Sequence, residues 1–240
     1  MTWKNYKILA VIPARGGSKG IPYKNLQKIG NISLIGHSAN VAKKLKWIDR
    51  IVLSTDDQKI ADEGLKYGIE VPFMRPANLA SDTATGADAW KHAWLTCEEL
   101  WDCQFDISIL LQPTTPLRKT DEIEKTLTTM LAGNFDAATT VSKVPGHYTP
   151  QKIFTLDQSD VLHFYCEDGH KYSNRQAIPS YYTRNGLCYA VKRDTLINHG
   201  YIVEKNCAAV IIDRPIINID DPYDLELARF AYDKERNDYL

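Results

Sequence analysis

Ile8-Leu9-Ala10-Val11-Ile12-Pro13-Ala14-Arg15-Gly16-Gly17-Ser18-Lys19-Gly20-Ile21-Pro22-Tyr23-Lys24-Asn25 is the stretch from which the rest of the chain is read. It opens on apolar, partly β-branched residues, the pattern of a strand buried on both faces. Pro13 has no backbone donor, so the strand ends there. Gly16, Gly17 and Gly20 follow with Arg15, Ser18 and Lys19 among them, and Lys24 and Asn25 lie just beyond. Bare amides, a hydroxyl and several cations make a loop suited to a polyphosphate, because amides cradle oxygens while Arg and Lys offset their charge. Open α/β sheets bind ligands at the carboxyl ends of their strands. That position favours a phosphate loop over a flexible connection with solvated charges. Neither standard phosphate loop fits, however. The glycine spacing is not G-x-G-x-x-G, and no Gly-Lys-Ser/Thr closes a P-loop.

Outward from this loop the apolar period changes to that of a helix between Ile32 and Leu45, with Ser33 as its N-cap. Arg50 to Ser54 reads as a second buried strand. Strand, helix and strand with short links predict a βαβ unit and a parallel sheet. A helix over 57–67 stops at Gly68, and Val71 to Met74 reads as a short edge strand because of Pro72. The polar loop Arg75 to Thr85 leads into a helix from about Gly86 to Trp101, capped by Asp82 or Thr83. Phe105 to Leu111 reads as a central strand ending in Gln112-Pro113-Thr114-Thr115-Pro116-Leu117-Arg118, an extended turn held by its prolines. Gln112 offers a donor and an acceptor at the strand's carboxyl end, suited either to a base edge or to capping backbone groups.

A helix over 121–131, closed by Gly133, and a strand from Ala137 to Ser142 follow. Residues 143–182 then lose all period, an excursion of functional or interface type. Within it Lys152 and Arg175 stand out, with Arg184 just beyond, since an arginine can hold a carboxylate bidentately. Leu187 to Val191 is a strand, 194–199 a short helix and Ala208 to Asp213 another strand. Ile216-Ile217-Asn218-Ile219-Asp220-Asp221-Pro222 alternates like a strand, placing Asn218 and Asp220 on one face. Their oxygens suit Mg²⁺, and Asp220 or Asp221 before Pro222 also suits an N-cap; Asp221 is assigned to the cap.

The chain of 240 residues carries 29 basic and 30 acidic side chains, a formal net charge of −1. Such a balance points to neither a nucleic-acid nor a membrane-surface binder. No apolar run precedes the first strand, so neither a signal peptide nor a membrane span is expected. The five cysteines have no C-x-x-C spacing, which fits a reducing, cytoplasmic setting better than a disulfide framework or zinc site.

The loop Ala14-Arg15-Gly16-Gly17-Ser18-Lys19-Gly20-Ile21-Pro22-x-Lys24-Asn25 resembles the signature of the acylneuraminate cytidylyltransferases, the CMP-sialic acid synthetase family. The Arg75-Pro76 run, Leu-Leu-Gln-Pro-Thr-x-Pro-Leu-Arg ending at Arg118, and the Asn218-x-Asp220 segment are similar to the same family in the same order. The resemblance implies a nucleotidyltransferase-type α/β/α sandwich, Rossmann-like, with a mostly parallel sheet in one domain over 1–240. It implies a reaction of CTP with a sialic-acid-like 2-keto sugar acid, giving the CMP-sugar and pyrophosphate. A sister enzyme, CMP-Kdo synthetase, is the first alternative, and a nucleotide-binding module without turnover is the second. On this reading Arg15, Lys19, Lys24 and Arg175 are catalytic. Arg15, Gly16, Gly17, Ser18, Lys19, Asn25, Arg75 and Gln112 bind the nucleotide. Lys152, Arg175, Asn185 and Gln112 bind the sugar, and Asp220 binds Mg²⁺. A homodimer with the excursion at its contact is also implied. The chain departs from the family pattern at two points. Thr183 stands where many relatives carry an arginine, with Arg184 adjacent, and Asn218 replaces the first acid of an Asp-x-Asp motif.

Overall fold

The computed structural model describes residues 5–172, 174–200, 202–203 and 205–237, with only the backbone for 175 and 235–237. The leading strand β1 (Ile8–Pro13) is buried and ends at its proline. A short hairpin, β2 (Lys28–Ile29) and β3 (Ile32–Ser33), leads into α1 (Leu34–Lys44). Ser33 caps that helix by accepting from the Gly36 amide at 3.1 Å. β4 (Arg50–Ser54) and α2 (Gln58–Lys66) follow, with the Asp57 carboxylate capping α2 through the Ile60 amide at 3.1 Å. Next come α3 (Gly86–Trp101), β5 (Ile107–Leu110), α4 (Thr120–Ala132) and β6 (Ala137–Lys143). The hairpin β7 (Phe154–Leu156) and β8 (Leu162–Phe164) lies in the excursion. β9 (Tyr182–Lys192), α5 (Arg193–Ile197), β10 (Cys207–Ile211) and α6 (Pro222–Asn237) complete the chain.

The main sheet runs β10-β6-β9-β5-β1-β4. β1 pairs in parallel with β4 and β5, and β10 with β6, while β9 is antiparallel to both its neighbours. Alternate residues of β1 serve opposite cores, as period-2 geometry requires. Ile8, Ala10 and Ile12 join Ile35, Ile60, Ile123 and Leu127 from α1, α2 and α4. Leu9 and Val11 join Trp90, Trp94 and Leu196 from α3 and α5. The result is an α/β/α sandwich. A third, smaller core gathers Ile21, Ile29, Leu34, Ile219 and Leu225. It packs the glycine-rich loop against the segment before α6, and this contact shapes the site.

Three local expectations are corrected. Val71–Met74 forms no strand; in this region only Glu70 bridges Val52. Pro72 lacks a donor, and Arg75 donates its amide to Thr55 O at 2.7 Å instead. The N-cap of α3 is Thr85, whose hydroxyl accepts from the Asp88 amide at 3.1 Å, rather than Asp82 or Thr83. Residues 216–220 are also not a strand: the segment crosses the carboxyl ends of the sheet, tied by the Ile219 amide to Thr114 O at 2.8 Å. Asp221 does cap α6, accepting from the Asp224 amide at 2.9 Å.

Candidate active site

At the carboxyl ends of β1 and β5 the chain turns away in opposite directions, leaving a cleft of about 510 Å³. Arg15, Ser18, Lys19, Lys24, Gln112 and Asp220 line it, so residues far apart in sequence meet on one surface. Tyr23 takes a left-handed conformation, φ 49°, before the turn Lys24–Leu26. The Lys24 ammonium donates to Ile219 O at 2.8 Å and to Asp220 Oδ1 at 3.3 Å. Asn25 is buried and donates to Arg15 O at 3.0 Å, bracing the two ends of the loop while lining the cleft.

The loop is less bare than its composition suggests. Gly16 N donates to the Asp56 carboxylate at 3.0 Å, and Ser18 N to Gly16 O at 2.9 Å. Arg15 Nη2 meets Asp82 Oδ1 at 3.0 Å, and Lys19 Nζ meets Asp82 Oδ2 at 2.6 Å. The bond from Lys19, above all, and the Arg15 guanidinium hold the Asp82 carboxyl below the usual carboxylate range. Arg75 is buried and donates through Nε to Ser54 Oγ at 3.0 Å. Burial draws its pKa down, against the neighbouring Asp56 charge. Arg75 also lines an adjoining hollow of about 290 Å³ with Gln112 and Thr85.

A second cleft of about 510 Å³ opens on the other side of Gln112, lined by Thr85, Gln112, Arg184, Tyr189 and Asn218. Its far wall exists because β9 is bulged. β6 pairs Thr139 with Tyr189 and Val141 with Arg184, so β9 covers five steps (184 to 189) while β6 covers two (139 to 141). In an unbroken strand residues five apart face opposite ways; the bulge brings Arg184 and Tyr189 to one cleft. Leu187 and Cys188, consecutive residues, accordingly share one core. Gly186 holds φ +72°, and a Cβ there would sit 2.7 Å from Gln112 Oε1. Glycine thus leaves room for the Gln112 amide between the clefts.

Asn185, expected to contact the sugar, sits within that bulge. Its Oδ1 accepts from Thr140 Oγ1 at 2.6 Å and Leu187 N at 3.2 Å, and its Nδ2 donates to Ser142 Oγ at 3.1 Å. Both ends of the amide are engaged by the sheet. Lys152 lies in the turn Pro150–Lys152 of the excursion and lines none of these clefts. The backbone of Arg175 lies in the turn Arg175–Ala177; its side chain lies outside the described ones. Sequence reasoning passed over Asp82 as a partner of the loop cations, as well as Thr85 and Tyr189. The first offered only a capping signal, and the last depends on the bulge.

Residues 9–224 match the model of a family described as cytidylyltransferase. The chain belongs to the cytidylyltransferase family. This cytidylyltransferase is 36% identical over 232 residues to the post-translational flagellin modification protein B of Campylobacter coli, spanning 96% of this chain and 97% of that one. It is 31% identical over 226 residues to the CMP-N,N'-diacetyllegionaminic acid synthase of Campylobacter jejuni, spanning 93% and 94%. A solved CMP:2-keto-3-deoxy-manno-octonic acid synthetase complexed with CTP superposes with a TM-score of 0.71 at 21% identity, covering 95% of this chain and 99% of that one. That likeness shows the nucleotidyltransferase-type α/β fold. No described helix is long and apolar enough to cross a membrane.

Cytidylyltransferases of this kind typically use a divalent metal. Among the described residues no group of three or more His, Cys, Asp or Glu gathers as a protein-only metal cage. Asp220, with its side chain 73% exposed, instead offers a carboxylate at the cleft, while Asn218 beside it turns Nδ2 to Asp220 Oδ2 at 3.1 Å and accepts from the Thr115 hydroxyl through Oδ1 at 3.4 Å. Such a carboxylate fits a hard cation that takes its remaining ligands from phosphate and water.

Proposed function

We propose that the cytidylyltransferase joins CMP from CTP to a nonulosonic acid, a sialic-acid-like 2-keto sugar acid. The observation that carries this reading is the pair of clefts sharing Gln112 and Asn218, with cations of the glycine-rich loop on one side and Arg184 on the other. Arg15, Ser18, Lys19 and Lys24 hold the triphosphate, and Gln112 faces the base. Arg75, tied to the end of β4, supports the nucleoside side, and Arg184 faces the acceptor carboxylate across the second cleft. The anomeric oxygen bonds to the α-phosphorus as the bond to the bridging oxygen breaks. Pyrophosphate carries away the electron pair, and the hydroxyl proton passes to solvent. Positioning and charge neutralisation supply most of the rate in such transfers. Asp220 would hold Mg²⁺, which when bound neutralises phosphate oxygens. Names borne by the relatives, a legionaminic acid synthase among them, support an acceptor of this class.

Pyrophosphate release is the test, with CTP, Mg²⁺ and a panel of N-acylneuraminate, legionaminic, pseudaminic and Kdo acceptors. Release with a nonulosonic acid well above that with Kdo is expected. Release with Kdo alone would make this a sister enzyme. CTP binding without release from any acceptor would make it a nucleotide-binding module.

We also propose a homodimer formed through the excursion. Leu156, Leu162 and Tyr165 on or beside the β7–β8 hairpin are 64%, 62% and 65% exposed, three apolar side chains presented together by the excursion. Sedimentation should give twice the chain mass for the parent and the single-chain mass for Leu162→Glu. A parent that sediments as a single chain would exclude the contact.

A further inference from the structure

Arg118 is buried, and among the described residues no carboxylate lies within ion-pair distance of it. Burial pushes its pKa down to about 10. A charge placed this way is costly unless it is hydrogen-bonded, and here each guanidinium nitrogen has a partner, two of them backbone carbonyls. Nε donates to Leu187 O at 3.0 Å, Nη1 to Ser38 Oγ at 2.6 Å, and Nη2 to Gln112 O. Leu187 belongs to the bulged part of β9 that forms the second cleft, whereas Gln112 separates the two clefts. The planar guanidinium fork therefore spans one wall of each cleft and anchors both to α1 through Ser38. From the opposite side Arg214 donates to Leu117 O at 2.7 Å and pairs with Glu122, so the turn 112–118 is held at both ends.

We propose that Arg118 is a positioning residue of the transfer site. It fixes the Gln112 backbone, and hence the base-facing amide, at a set distance from the acceptor wall of β9. The inference rests on the proposed function, because it takes Gln112 to face the cytosine. A lysine keeps the charge but cannot bridge Gln112 and Leu187 with one fork. Arg118→Lys is therefore expected to lower kcat and the preference for CTP over UTP, each by about tenfold, since small misplacements of reacting groups are costly. Ser38→Ala removes one acceptor in a small, local change. It should lower the same preference by roughly threefold, and it keeps the test open should Arg118→Lys fail to fold.

The assay measures kcat, KM for each nucleotide and thermal midpoint in parallel, with Gln112→Ala as control. A merely structural role would lower the midpoint and leave the CTP-to-UTP ratio of kcat/KM at the parent value in the folded variants. That result would overturn the inference alone. A parent without CTP preference, or a preference that survives Gln112→Ala, would overturn the base-facing reading of Gln112 and the inference with it.

Discussion

Lys24→Ala is expected to fold and to lose turnover by a factor of about 10²–10³, the range for a charge-stabilising donor removed from an active site. The reason lies in where the ammonium sits. The Lys24 side chain is 15% exposed and that of Lys19 is 79% exposed, although both follow the same strand. A partly dry cation interacts more strongly with developing charge than one in open water. Lys24 also touches both Ile219 O and Asp220 Oδ1, so one group joins the phosphate loop to the carboxylate expected to hold metal. Lys19→Ala should cost less, since solvent screens its charge and its contact in the structure is the exposed Asp82. Steady-state pyrophosphate release at saturating CTP measures both. A Lys24→Ala kcat within threefold of the parent would remove this side chain from the chemistry, leaving it as a loop anchor.

The elements that could be read from sequence are those whose signals are local. Ser33 caps its helix as expected because a cap needs one side chain and one amide a few residues on. β1 could be read because an unbroken apolar run has few other fates. Thr85 was missed because Asp82, Thr83 and Thr85 are all competent caps. The choice among them follows from long-range pairing, since Asp82 is taken by Arg15 and Lys19. The sheet order could not be read for the same reason. β9 lies antiparallel between β5 and β6, and no local pattern marks that insertion. Asn185 shows the consequence for function. Its sequence context looks like a ligand-facing amide, yet the Thr140 hydroxyl, on a different strand, claims it. Arg184 is the converse case. Only the three-residue excess of β9 over β6 at the bulge turns it toward the second cleft beside Tyr189.

Gly20→Ala is expected to lower kcat/KM for CTP by about a hundredfold while the thermal midpoint stays within a few degrees of the parent's. A Cβ on Gly20 would lie 2.6 Å from the backbone oxygen of Asp220. That neighbour is a carbonyl rather than the tip of a flexible side chain, so either the loop or the Asp220 segment must retreat. The small core formed by Ile21 and Ile219 resists that retreat, as these residues immediately follow and precede the two that would clash. The strain therefore falls on the cleft, where Lys24 and Asp220 must keep their separation. Gly20 is exposed, and a methyl there removes no buried contact, which is why activity should fall further than stability. The other loop glycines set the scale. A Cβ on Gly16 would meet Asp57 Cβ at 2.9 Å, and one on Gly17 would meet nothing within 4 Å. The losses should therefore rank Gly20→Ala above Gly16→Ala above Gly17→Ala. If Gly17→Ala proved the most damaging, the bound triphosphate would have to press on open loop backbone, and the close approach to Asp220 would not be what limits the site.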